Sequence, residues 1–136
     1  IGAGLCSGLG LGDNSLAAMV TRALAEMRRL GAALGGRPET FMGLSGAGDL
    51  MLTCYGDQSR NRRGGLALSR GEALADIERN LGGVAEGVTT ARALKELARR
   101  RGLRAPLVEQ VAAVLAGERS PAEALEALLA RPPDEE

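Results

Sequence analysis

A chain of 136 residues has room for one domain with a buried core. Its 17 basic and 17 acidic residues cancel, which argues against a dedicated nucleic-acid or membrane-surface protein. There is no histidine, and Phe41 and Tyr55 are the only aromatics. A Ser-His-Asp triad, an imidazole metal site and the stacking platforms of a single-strand nucleic-acid binder are therefore all excluded. No metal site is expected.

Cys6 and Cys54 lie far apart and neither belongs to a CxxC pair, so they read as reduced, partly buried thiols in a cytoplasmic protein. The apolar runs are too short to span a membrane, and no signal peptide is visible. Ile1 is not an initiator residue, so the sequence reads as part of a longer protein.

In chain order, the first segment is glycine-rich, IGAGLCSGLGLGDN over 1–14. Its spacing is not GxGxxG and no strand precedes it, so a dinucleotide-binding fingerprint is rejected. The glycines instead allow close helix approach or mark a junction between domains. Asp13 is the expected N-cap of a long helix over 14–34. Leu16, Val20, Ala23, Leu24, Met27, Leu30 and Leu34 form its apolar face, and Arg22, Glu26 and Arg29 lie off it. A short helical turn over 37–41 starts with Pro38, and 43–48 is a turn-rich bridge in which Ser45 could cap a helix over 49–54. Further helices are expected over 59–69, with Leu66, Ala67 and Leu68 as the apolar side, and over 72–81. Residues 82–87 read as a loop, with Thr89 and Thr90 preceding a helix over 91–101. Pro106 opens the next helix, with a stripe of Leu107, Val108, Val111, Val114 and Leu115 and a stop at Gly117. Ser120 to Glu123 is a capping box for the last helix, to about residue 130, and 132–136 is a frayed acidic tail. The run from Arg99 to Arg104 sits at a helix end, where the dipole favours cations, and reads as structural. No stretch alternates as a strand does. The fold class is all-α.

One stretch gathers the chemistry: GLSGAGDLMLTCYGDQSRNRR over 43–63. Asp49 and Thr53, four residues apart, share a helix face. Ser59 is a good N-cap, and Arg60, Asn61, Arg62 and Arg63 fill the first turn behind it with no acid among them. Arginines there oppose the helix dipole, so stability alone would favour Asp or Glu. Free backbone N–H groups, guanidinium forks and an amide at one helix start suit a phosphate or carboxylate. A solvated basic turn is the plainer alternative.

These residues resemble the GDL…TC…SRNRR signature in the C-terminal domain of NAD(P)-dependent glycerol-3-phosphate dehydrogenases, chiefly the bacterial type. The 1–14 segment looks like the one that opens this domain, and VAEG over 84–87 looks like its cofactor-contacting turn. The resemblance runs in order along the chain and fades after about Arg119. It implies one helical C-terminal substrate-binding domain over 1–136, with the N-terminal Rossmann NAD(P)-binding domain outside this chain. About seven helices are expected, as in the C-terminal domain of 6-phosphogluconate dehydrogenase-like enzymes.

The resemblance also implies site residues. Asp49 and Thr53 are the expected catalytic positions. Asp49, Ser59, Arg60 and Asn61 are expected to hold the substrate, and Arg60, Val84 and Glu86 the cofactor, NAD or NADP. The implied partners are glycerol 3-phosphate or dihydroxyacetone phosphate and the chain's own Rossmann domain, and a homodimer is compatible with it. No nucleic acid and no membrane span are expected. The implied catalytic lysine lies upstream of the segment that matches Ile1, and Lys95, the only lysine here, is in the wrong place to replace it. Ser15 stands where many relatives carry lysine. Two rival readings remain. One is a non-catalytic helical dimerisation or anion-binding module, which should expose an apolar face over 107–115 and lack a cleft near Asp49. The other is a different β-hydroxyacid-type dehydrogenase with the same helical domain, which the Ser-Arg-Asn element disfavours.

Overall fold

The computed structural model describes residues 1–81 and 84–131. The tail 132–136 and the first two residues of the expected 82–87 loop lie outside the described residues. The helices are α1 (Gly2–Gly8), α2 (Gly12–Ala33), α3 (Pro38–Phe41), α4 (Asp49–Tyr55), α5 (Arg60–Ser69), α6 (Leu74–Leu81), α7 (Val84–Arg101), α8 (Pro106–Leu115) and α9 (Pro121–Leu129), with a π-helical turn over Leu44–Gly48. Among the described residues there is no strand. The all-α class holds, and the described residues form nine α-helices where about seven were expected.

The extra helix α1 is built from the glycine-rich start. Glycine is a poor helix former, so tertiary contact has to stabilise it, and α5 supplies that contact. A Cβ on Gly4 would stand 2.0 Å from the Arg62 carbonyl oxygen, and one on Gly65 2.0 Å from the Ile1 carbonyl oxygen. The two backbones cross in direct contact, a route open only to glycine on both helices. Of the two readings of these glycines, close helix approach holds. The same crossing corrects the apolar side of α5. Its buried residues are Gly64 and Gly65, and Leu66, Ala67 and Leu68 are half-buried.

Three apolar clusters form the core. Leu5, Cys6, Leu16, Met19, Val20, Leu125 and Leu128 join α1, α2 and α9. Ile77, Val84, Val88, Ala91 and Leu115 join α6, α7 and α8. Leu30, Ala98 and Ala105 close the far end of α2. Leu5 and Ile77 are fully buried, each worth about 1.5–3 kcal/mol of transfer free energy.

Helix α2 departs from expectation in three ways. It starts at Gly12 with Leu11 at the N-cap, so Asp13 lies in the first turn rather than capping it. Leu34 falls beyond the last turn and is 62% exposed. Glu26, expected off the apolar face, is only 3% exposed. Its carboxylate accepts from the backbone N–H groups of Leu107 (2.6 Å) and Val108 (3.1 Å), so it caps the start of α8 from a neighbouring helix. Burial pushes the Glu26 carboxyl up, against the pull of these two donors and of Arg29.

Helix α7 begins at Val84, seven residues before the expected start, so Thr89 and Thr90 lie inside it. Ser45 makes no cap hydrogen bond to α4, whose N-cap is Gly48. The capping box at α9 forms as expected: Ser120 Oγ accepts from Glu123 N and Glu123 Oε2 accepts from Ser120 N. The arginine run is structural as expected. Arg99 and Arg100 both donate to Glu96, drawing its carboxyl down to about 2. Arg101 reaches the Ala33 carbonyl at 3.0 Å and ties α7 to the end of α2, and Gly102 ends α7 in the left-handed region at φ +62°.

Candidate functional site

The site begins where the bridge turns into α4. A Cβ on Gly46 would stand 2.1 Å from the Phe41 carbonyl oxygen, so the π turn folds flat on the end of α3 only with glycine there. That turn delivers Asp49, exposed, to the first position of α4. Along α4, Leu50, Thr53 and Cys54 face inward while Met51, Leu52 and Tyr55 face out and are exposed. The helix is apolar on its outer side too, an arrangement typical of helices covered on all sides.

A turn later, Ser59 caps α5 as expected, its Oγ accepting from the Arg62 backbone N–H at 3.2 Å. The four residues behind it diverge. Arg60 and Arg63 are exposed. Arg62 is the inward arginine: one guanidinium nitrogen donates to Asp57 Oδ1 at 2.8 Å, and its Nε is buried without a partner among the described residues. Asn61 turns towards the body of the domain, and its Oδ1 is likewise buried and unpaired. An unpaired buried acceptor is costly, and such atoms concentrate where a ligand completes the hydrogen bonding.

Asn61 lines a cleft of about 450 Å³ between α1, α2, α4, α5, α7 and α8. Its walls are mostly apolar, from Ile1, Val20, Leu50, Leu94, Leu107 and Val111, and Thr53, Asn61 and Glu86 are among its polar groups. An apolar cleft with a few convergent polar groups is the usual form of a small-molecule site. Cys54 also lines it. Burial pushes the Cys54 thiol up, against the pull of Arg62, which keeps it a neutral packing group rather than a thiolate nucleophile.

Residues 1–126 match the family described as NAD-dependent glycerol-3-phosphate dehydrogenase C-terminus. The chain belongs to this family. Its full length aligns at 57% identity with 41% of a glycerol-3-phosphate dehydrogenase [NAD(P)+] from Dechloromonas aromatica. A protein of the same name from Symbiobacterium thermophilum is 52% identical over 97% of this chain and 39% of its own length. Among solved structures, glycerol-3-phosphate dehydrogenase from Coxiella burnetii superposes with a TM-score of 0.91 at 42% identity, covering 96% of this chain and 40% of that one. The chain thus spans about two-fifths of the length of the curated relatives it matches.

For this member of the glycerol-3-phosphate dehydrogenase C-terminal family, the expected site residues separate into three groups. Thr53, Asn61 and Glu86 share the cleft wall. Asp49, at the start of α4, and Ser59 and Arg60, at the start of α5, do not line it. Val84, the third group, is fully buried and packs among Ile77, Val88 and Leu115. Its β-branched side chain in the first turn of α7 fills the core, where a Cβ on Gly64 would come within 3.1 Å of it.

Among the cleft residues not expected as site residues, Ile1 and Gly87 lie beside Asn61. Gly87 sits inside α7 at the cleft wall, and Ile1 closes the cleft beside it. The VAEG string held the signal for Gly87, since a glycine inside a helix implies close approach by a neighbour. Against the marks expected of a non-catalytic module, a cleft does open beside α4 and Ala112 to Leu115 of α8 are buried, while Leu107, Val108 and Val111 are half-buried and line that cleft.

Proposed function

We propose that this chain is the substrate-binding portion of an NAD(P)-dependent glycerol-3-phosphate dehydrogenase that interconverts sn-glycerol 3-phosphate and dihydroxyacetone phosphate. The carrying observation is the convergence of Thr53, Asn61 and Glu86 on one cleft beside a helix start furnished with arginines instead of acids. The enzyme is cytoplasmic and supplies glycerol phosphate for phospholipid synthesis.

Arg60 and Asn61 hold the phosphate, with the amide and the guanidinium adding to the dipole of α5. Ser59 sets the backbone of that turn by capping it. Fixing the remote phosphate converts binding energy into orientation of the reacting carbon. Thr53, facing into the cleft, meets the glycerol end. Asp49 pairs with the ammonium of a lysine outside this chain that takes the hydroxyl proton, an arrangement that an exposed carboxylate at the cleft's edge can serve.

The residues present suit one end of a cofactor and no more. Glu86 at the cleft wall and exposed Arg60 offer polar contacts, whereas no glycine-rich phosphate loop following a strand occurs among the described residues. A bound NAD or NADP would supply the hydride-accepting and hydride-donating chemistry, with Glu86 and Arg60 the residues here that would contact it. Val84 acts indirectly, by anchoring the first turn of α7 that carries Glu86.

The partner is the enzyme's own N-terminal Rossmann domain. Support comes from the exposed outer face of α4 with the neighbouring Leu44, which is 91% exposed, next to Asp49 and so next to the proposed point of hydride transfer. Homodimerisation belongs to the same proposal and is read from the mass of the whole enzyme in solution. The test of the activity is steady-state kinetics of the whole enzyme with glycerol 3-phosphate and either nucleotide. Asp49→Asn should lower kcat by roughly a hundredfold with a smaller change in KM. An unchanged kcat removes Asp49 from the proton-transfer machinery.

A further inference from the structure

Gly87 lies in the fourth position of α7, a helical position where alanine is the better helix former. Space explains the glycine. A Cβ placed there would stand 2.1 Å from Asn61 Oδ1, 3.0 Å from Asn61 Cγ and 3.2 Å from Ile1 Cδ1. The contrast with Gly65 is informative. The Cβ of an alanine at 65 would run into the Ile1 carbonyl, which is backbone, so accommodating it means moving a helix. At 87 the obstructing atoms are ends of side chains, the Asn61 amide foremost and Ile1 Cδ1 less closely, and these can rotate away.

We propose that Gly87 is a positioning residue: by leaving out a side chain, it keeps the Asn61 amide turned into the cleft. The unpaired Asn61 Oδ1 fits this role, because an amide oxygen buried without a donor does not lie there for stability. Glycine at 87 leaves that oxygen room against α7, at a cost to the helix, and so sets which way the donor end of the amide faces for the bound phosphate. The consequence for binding rests on reading the cleft as the glycerol phosphate site.

The experiment is a double-mutant cycle in the whole enzyme with Gly87→Ala, Asn61→Ala and the double variant, combined with a crystal structure of Gly87→Ala. The structure should show the Asn61 amide rotated out of the cleft with α7 in place. KM for glycerol 3-phosphate should rise roughly tenfold, the loss of about one hydrogen bond, with a smaller change in kcat. In the Asn61→Ala background, Gly87→Ala should change KM no further and should raise Tm, because the closest obstruction is gone, the tip of Ile1 has only to shift slightly, and alanine favours the helix. That background also keeps the test informative if the single variant folds poorly. An amide that stays in place in Gly87→Ala overturns the proposal, as do KM effects that add in the double variant. A rotated amide with an unchanged KM would leave Gly87 in its positioning role and instead defeat the reading of the cleft as the substrate site.

Discussion

Helices α5, α8 and α9 begin in contrasting ways. The start of α9 is closed by its own residues, Ser120 and Glu123 satisfying each other's backbone donors. The start of α8 is closed from outside, by the Glu26 carboxylate reaching across from α2. Both receive a negative charge where the dipole is positive. The start of α5 has the serine cap but no acid in its first turn, and it adds arginines. Where the chain closes a helix with its own carboxylate, the cap is part of the fold. Where the first turn beside a cleft carries arginines instead of an acid, the anion is proposed to come from a ligand.

The largest effect should come from breaking the structural side of this contrast. Glu26→Ala strips two backbone donors of their buried acceptor and should cost about 3 kcal/mol of stability, read as a lowered midpoint in urea with an unchanged slope. Glu26→Gln, which keeps one carbonyl acceptor, should cost less. A midpoint unchanged in both would mean that water replaces the carboxylate at α8. Next comes the functional side. Arg60→Ala in the whole enzyme should weaken substrate binding by about 1.5–3 kcal/mol through the lost charge-assisted contact, seen in KM, while stability hardly moves because the side chain is exposed. The serine caps should give smaller changes that separate the two helices. Ser120→Ala and Ser59→Ala should each cost about 1 kcal/mol of stability, but only Ser59→Ala should also raise KM for glycerol 3-phosphate. Equal kinetic effects would erase the distinction between the two starts.

The smallest effect is a pH slope. The folded Glu26 carboxyl titrates above its unfolded value because of burial, so the folded state binds the extra proton. The stabilising contribution is fully present below the unfolded value, about pH 4.3, and is lost as pH rises through the folded one. Wild-type stability should therefore decline upward from about pH 4.3 by an amount that Glu26→Gln does not show. Parallel profiles for the two proteins would count against this linkage.

Much of this was legible in the residues. Ser59, Ser120 with Glu123, Pro106 and the long apolar period of α2 are local signals, and the corresponding helices form where those signals lie. What escaped the reading is stabilised at a distance. Helix α1 contains Gly2, Gly4 and Gly8, and only the glycine pair of α5 makes it a helix worth packing. Glu26 looked like a surface acid because its partners are 81 and 82 residues away. In the site, the resemblance named Thr53, Asn61 and Glu86 for separate roles, and the structure places all three on one cleft wall. It named Val84 too, and the packing of α6, α7 and α8 holds that side chain in the core. Gly87 went unnoticed as an individual position because its importance lies in the space it leaves for Asn61, and α5 sets that space.

The most direct test of the account is a crystal structure of the whole enzyme with glycerol 3-phosphate bound. The account predicts the phosphate within hydrogen-bonding distance of the Arg60 guanidinium and the Asn61 amide, at the start of α5, with the glycerol carbons in the cleft beside Thr53. A phosphate bound elsewhere, or a cleft filled by side chains of the other domain with substrate outside it, would contradict it.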